Sequence, residues 1–205
     1  MITLAQVRSA VTLAEFDPTA AMLSMAPLGR TDRRADPPPK QAAVLALLTG
    51  DDGNRGIVLT RRAESLNGHS GQMSFPGGRR EDDDANFEET ALREASEELG
   101  IDTGGVTLLG ALTPLYIPPS HFDVYPYVGY LMPLPPLLPN PDEVAAVYIA
   151  PVAALLEPAA RTMAVIETMA GPREVPAFVL CEQIVWGATA IMLHELAVRI
   201  RAVQG

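Results

Sequence analysis

Gly77-Gly78-Arg79-Arg80-Glu81-Asp82-Asp83-Asp84 runs on into Arg93-Glu94-Ala95-Ser96-Glu97-Glu98-Leu99-Gly100-Ile101, and no other part of the chain is as dense in chemistry. Glu94, Glu97 and Glu98 are spaced i, i+3, i+4, so a helix through them carries all three carboxylates on one face. Three adjacent acids repel one another and cost helix stability unless a cation sits over them. A hard, oxygen-loving divalent ion such as Mg²⁺ or Mn²⁺ suits them. Asn86 is placed to cap this helix while Glu89 reaches back, and Phe87, Ala91, Ala95 and Leu99 form its apolar stripe. Gly100 fits the left-handed position that ends it.

Upstream, the Gly77-Gly78 pair allows a tight turn and leaves carbonyls exposed beside the helix. Glu94 and Glu98 can share one ion, with Glu97 reaching a second ion or a water. Arg93 can pair with Glu97 or with a carboxylate of the preceding acidic loop, and so hold the acids in place. A metal bridging phosphate oxygens polarises phosphorus and acidifies a bound water, whose proton a free carboxylate removes. A solvated acidic face is the plainer reading of Glu97-Glu98 alone. The double glycine, the acidic loop and the Arg-Glu start weigh against it.

Farther out, Ala43-Val44-Leu45-Ala46-Leu47-Leu48 and Ile57-Val58-Leu59-Thr60 flank Asp51-Asp52-Gly53-Asn54, the pattern of a hairpin. A loop over 63–71 leads to a short strand at 73–75 that ends at Pro76-Gly77-Gly78. Strands are expected at 106–112, 122–131, 143–150, 162–168 and 174–180. A closing helix over 184–203 would turn Val185, Ala188, Met192, Leu196, Ile200 and Val203 inward. At the start, Thr3 and Gln6 form a capping box for an amphipathic helix with Ile2, Leu4, Val7, Ala10 and Val11 on its apolar side. Asp17-Pro18 starts a second helix. Residues 28–39 read as an extended linker, which divides the chain into N-terminal helices with linker (1–39) and a core (40–205). Mixed strands with helices at both ends indicate an α/β sandwich.

The 205 residues suffice for a substantial core. A formal charge of −10 argues against nucleic acid or anionic lipid as a partner. A polyanionic small molecule remains compatible if metal and arginines reverse the sign locally. Cys181 stands alone, excluding an intrachain disulfide and a cysteine zinc site, and its apolar surroundings make it a core residue. No apolar run is suited to spanning a bilayer and no signal-peptide pattern is present, so a cytoplasmic location is expected. The amphipathic N-terminal helices could pack against a partner subunit and give a homodimer.

The segment over 77–101 resembles the Nudix box, Gly-x5-Glu-x7-Arg-Glu-U-x-Glu-Glu-x-Gly-U, with U a bulky apolar residue. Asp84 stands where the first Glu is expected, one extra residue separates it from Arg93, and Ala95 occupies a U position. The run over 59–78, Leu-Thr-Arg-Arg-Ala-Glu-Ser-Leu-Asn-Gly-His-Ser-Gly-Gln-Met-Ser-Phe-Pro-Gly-Gly, is similar to the signature of the coenzyme A pyrophosphatase subfamily. Weaker similarity continues through Asn140-Pro141-Asp142-Glu143-Val144 and residues 184–190.

That resemblance implies a Nudix α/β/α sandwich with a mixed sheet, extended by the N-terminal helices. It implies Mg²⁺- or Mn²⁺-dependent hydrolysis of coenzyme A to 3′,5′-ADP and 4′-phosphopantetheine. Glu94 and Glu98 would be metal ligands and Glu97 a third ligand or the general base. Glu143 would be a second candidate base, and Gly78 would offer a carbonyl to the metal. Coenzyme A also carries a 3′-phosphate, so the pocket needs several donors. Arg61, Arg62, His69, Arg79 and Arg80 are the candidates. Tyr116 and Phe122, in a loop over 116–122, are placed to cover the adenine, although turn and core roles serve them equally. His194 is expected to be structural.

Two rivals stand beside this reading. One is a Nudix hydrolase of another nucleoside diphosphate derivative, such as ADP-ribose or NADH. The other is a non-catalytic Nudix-fold nucleotide sensor, which would be expected to lose acids that are all present here. A serine hydrolase fails, because Gly68-His69-Ser70-Gly71-Gln72 lacks the second Gly of its turn.

Overall fold

A computed structural model describes residues 1–27, 36–64, 70–168 and 171–204. Its centre is strand β1 (Lys40–Thr49), which pairs in parallel with β7 (Phe122–Tyr130) along nearly its whole length. On its other side β1 meets β2 (Gly56–Arg62) through the expected hairpin, with Leu48 opposite Ile57. The sheet continues outward through β3 (Met73–Ser74), β5 (Thr107–Ala111), β6 (Leu115–Ile117) and β8 (Val144–Pro151).

β1 is apolar almost throughout because both its faces are covered. Ala43, Leu45 and Leu47 point to one face, where Ala91, Ala95 and Leu99 of α3 (Phe87–Leu99) complete a core. Ala46 and Leu48 point to the other, which holds α1 (Leu4–Val11), α2 (Thr19–Met25) and α4 (Gly187–Gln204). The architecture is therefore α/β, a mixed sheet between helical layers. A second sheet, β9 (Arg161–Thr168), β10 (Gly171–Leu180) and β11 (Gln183–Trp186), lies under α4.

The residues ahead of β1 take part in this core. Thr3 and Gln6 form the capping box, and Val7, Ala10 and Val11 are buried in one cluster with Leu196 and Ile200 of α4. The apolar face of α1 that could have met a partner subunit is covered by the chain's own last helix. Residues 28–35 of the linker lie outside the described residues.

Several expectations need correction. The glycine pair does not end a strand. It lies in β4 (Gly77–Arg79), which pairs antiparallel with β1 at Ala42 to Val44. Val185 belongs to β11, not to the closing helix, which starts at Gly187. Tyr116 is a buried residue of β6 rather than part of a loop. Cys181 is exposed, with Glu182 at the turn between β10 and β11, and both have positive φ. His194 is buried beside Phe178, and burial pushes its pKa down to about 4.

Candidate active site

The acid-bearing helix is set by its two ends. Asn86 Oδ1 accepts from the Glu89 N–H at 2.9 Å, and Glu89 Oε2 accepts from the Ala85 N–H at 2.8 Å, one residue before the expected partner. Gly100 closes the helix in the left-handed conformation, its N–H donating to the Ser96 carbonyl at 2.9 Å. The last carbonyls do not stay open. Leu138 N–H donates to Leu99 O at 2.8 Å and Asn140 N–H to Glu98 O at 3.0 Å. These bonds dock the Asn140-Pro141-Asp142-Glu143 loop on the end of the helix and bring Glu143 to the acids.

Arg93 and Asp84 form the frame. Arg93 donates from Nε to Asp84 Oδ1 at 3.0 Å and from Nη2 to Asp84 Oδ2 at 3.1 Å, a two-pronged contact. Asp84 Oδ2 also accepts from Thr90 Oγ1 and from the Glu81 N–H, each at 2.9 Å. The Arg93 hydrogen bonds hold the Asp84 carboxyl well below the usual carboxylate range. Asp84 is therefore fixed as an anion that ties the acidic loop to the helix. Arg93 further donates to the Arg79 carbonyl at 3.0 Å and to Glu97 Oε2 at 3.0 Å, and lies 3.0 Å from Glu94 Oε1. One guanidinium thus joins the loop, β4 and two of the three glutamates.

The glutamates differ sharply in setting. Glu98 is enclosed, with its side chain 3% exposed, whereas that of Glu97 is 54% exposed. Glu98 Oε1 lies 4.0 Å from Arg62 Nη1, and its Oε2 is buried with no hydrogen-bond partner among the described residues. Burial pushes the Glu98 carboxyl up to about 8, partly offset by Arg62, while Glu94 and Glu143 lie near enough to raise it further. Burial raises the Glu94 carboxyl as well, against the pull of Arg93. Gly78 stands directly against Glu94, where a Cβ would displace its carboxylate, and a Cβ at Gly77 would strike the backbone of Ala43 and Val44, so the glycine there lets β4 lie close against β1.

Among the described residues no three His, Cys, Asp or Glu side chains already converge as a metal cage. The donor set nevertheless fits a hard divalent cation. Glu94 and Glu98 are largely enclosed oxygen donors, and Glu98 Oε2 has no other partner among the described residues. Glu143, whose Oε1 accepts from Asn140 Nδ2 at 3.4 Å, faces the same space. Glu97 points to the solvent side of this pair.

The remaining candidates scatter more. Arg61 and Arg62 end β2, with a register shift between them, and Arg62 turns to Glu98. Arg79 has an exposed side chain beside the glycines. Arg80 is committed to the acidic loop: Nη2 donates to Asp84 O at 3.0 Å, and its guanidinium lies 5.0 Å from the Phe87 ring centroid. Tyr116 is tied to His121, with the phenol oxygen 2.8 Å from Nδ1. His121 Nε2 lies 2.6 Å from the Pro37 carbonyl, which can only accept, so Nε2 carries a proton. Phe122 packs under Lys40, whose Nζ is 5.8 Å from the ring centroid. His69 lies outside the described residues.

Asp84 and Asn140 are residues supporting the acid site that the sequence candidates omitted, and His121 is a partner of Tyr116 that they also omitted. Asp84 stood at a box position, and Asn140-Pro141 is a turn signal. His121 had no local signal, because its partner Pro37 is far away in sequence.

A family model, the NUDIX domain, matches residues 39–167. The chain is 41% identical over 137 residues to Nudix hydrolase 15, mitochondrial, of Arabidopsis thaliana, spanning 65% of this chain and 47% of that protein. It is 38% identical over 144 residues to the Nudix hydrolase NudL of Pectobacterium atrosepticum, spanning 70% and 74% respectively. The chain therefore spans about half the length of the Arabidopsis relative. Among solved structures, a MutT/nudix family protein of Enterococcus faecalis superposes over 98% of this chain and 76% of its own, with a TM-score of 0.54 at 14% identity. The fold, the matched segment and the relatives agree that the chain belongs to the Nudix family.

Proposed function

We propose that the protein is a divalent-metal-dependent pyrophosphohydrolase that cleaves the diphosphate bond of coenzyme A, giving 3′,5′-ADP and 4′-phosphopantetheine. The observation that carries the hydrolase reading is the buried oxygen of Glu98, unpartnered among the described residues, beside Glu94, with Glu94 close against Gly78. Glu94 and Glu98 would hold Mg²⁺ or Mn²⁺, with the Gly78 carbonyl and Glu97 as further donors. When bound, the ion would supply charge neutralisation at phosphate and an acidified water. Glu143 or Glu97 would take the proton from the attacking water. Arg93 keeps the acids in register. Arg62 and Arg79, with Arg61, would supply positive charge for the substrate phosphates, and His69 would donate a hydrogen bond to one of them.

Coenzyme A as substrate rests on the run over 59–78 and its likeness to the coenzyme A pyrophosphatases. The reaction adds one water across P–O–P, with one product phosphate keeping the bridging oxygen and the other gaining the water oxygen. A product-resolved assay tests both levels. Purified protein with Mg²⁺ or Mn²⁺ is given coenzyme A, its oxidised and acyl forms, ADP-ribose and NADH. Release of 3′,5′-ADP as the fastest reaction is expected. Faster cleavage of ADP-ribose or NADH would replace the substrate, and metal binding without turnover of any of them would indicate a sensor.

A further inference from the structure

Strand β9 has β10 on one side, and among the described residues nothing pairs with its other edge. Its sequence, Arg-Thr-Met-Ala-Val-Ile-Glu-Thr, contains neither the prolines nor the lysines that commonly blunt an edge. Met163 and Val165 on it are 49% and 70% exposed.

The hairpin register shows which backbone groups face outward. Thr168 stands opposite Gly171 across a two-residue connection, and such a closing pair is hydrogen bonded. Bonded pairs then recur at every second position, at Ile166–Arg173, Ala164–Val175 and Thr162–Ala177. Arg161, Met163, Val165 and Glu167 therefore direct their N–H and C=O groups away from β10. The prolines of β10 agree. Pro172 and Pro176, which lack an N–H, stand opposite Glu167 and Met163, where the ladder needs no donor.

We propose that this edge pairs antiparallel with the same edge of a second copy of the chain, about a two-fold axis at Ala164. Such a contact must be self-complementary. Outward-bonding residues have to face one another, so odd positions meet odd positions. With Ala164 on the axis, Arg161 faces the partner subunit's Glu167 and Met163 faces the partner subunit's Val165, each contact occurring twice. All four side chains lie on one face of the strand, because they alternate along it. Moving the register by two residues sets Arg161 against Val165, or Glu167 against Met163, and loses the charge match. The two sheets would join into one across the dimer.

Sedimentation equilibrium tests the pairing. The wild-type chain is expected to dimerise. Arg161→Glu and Glu167→Arg each set like charges opposite and should raise the dissociation constant by about tenfold or more, and the double reversal should restore it. A cysteine on the axis gives the register. The Ala164 pair is not hydrogen bonded, with Cα atoms about 4.5 Å apart, within disulfide reach. Ala164→Cys in a Cys181→Ser background should therefore form a covalent dimer on mild oxidation, and Val165→Cys in the same background should not. A monomer at every concentration overturns the proposal, as does a dimer indifferent to both reversals that does not cross-link. A monomer whose outward Met163, Val165 and Glu167 amides resist hydrogen exchange would show that the chain covers its own edge, and overturns the proposal equally.

Discussion

Glu98 is a carboxylate placed where a proton is preferred to a charge. Its carboxyl, pushed up to about 8 from an ordinary 4.5, is protonated in the metal-free fold across the neutral range. The folded protein then holds a proton that the unfolded chain gives up above about pH 4.5, so this group's contribution to stability declines as pH rises toward 8. A divalent cation needs the ionised form, and its affinity should climb by up to about tenfold per pH unit below 8 and level off above. Calorimetric Mg²⁺ titrations at pH 6.5, 7.5 and 9 check this, and a flat affinity would remove Glu98 from the cation site. Glu98→Gln should abolish the pH dependence and lower turnover by about a thousandfold. At pH 9 without metal the same variant should be at least as resistant to urea as the parent. A variant that instead unfolds would assign Glu98 a structural role.

The helix that carries these acids was legible because its signals are local. Asn86, the apolar stripe and Gly100 each act within a turn or two, and the structure uses all of them. Elements decided by distant partners were not legible. Gly77-Gly78 has the chemistry of a turn, yet β1 recruits it as a strand because a bare backbone can lie beside Val44 and Glu94. The site was half legible for the same reason. Glu94 and Glu98 share a helical spacing, whereas Glu143 joins them through the docking of Leu138 and Asn140 on the helix end. The β10–β11 turn was hidden because its residues oppose its geometry. Cys181 and Glu182 have φ of 50° and 62°, a two-residue turn that prefers Asn-Gly. Holding these side chains in the left-handed region costs about 1 kcal/mol each. Cys181→Asn with Glu182→Gly should therefore stabilise the protein by about 1 kcal/mol in urea denaturation, with catalysis unchanged. No gain would mean that the Cys181 Sγ contact to the Ile149 carbonyl offsets the strain.

The family match ends at residue 167, but the core does not. Beyond it, α4 closes one face of the main sheet, and one buried ion pair on α4 links distant parts of the chain. Glu195 Oε1 accepts from Arg199 Nε at 2.8 Å, from the Thr113 N–H at 3.0 Å and from Thr113 Oγ1 at 2.9 Å. Arg199 Nη1 donates to the Ala10 carbonyl at 3.5 Å, and its guanidinium lies 4.1 Å from the Phe16 ring centroid. The pair thus clips both the end of α1 and the β5–β6 connection to the last helix. Removing one partner leaves a buried charge uncompensated. Arg199→Met should cost about 3 kcal/mol or more and expose the first residues of the chain to proteolysis. Pairing it with Glu195→Gln should recover much of that loss, because the second change removes the stranded carboxylate while keeping an acceptor for Thr113. Urea denaturation of the two single variants and the double gives the coupling energy. Simple additivity would mean that each residue acts alone, and that the N-terminal helices are held by apolar packing of Val7, Ala10 and Val11 rather than by this pair.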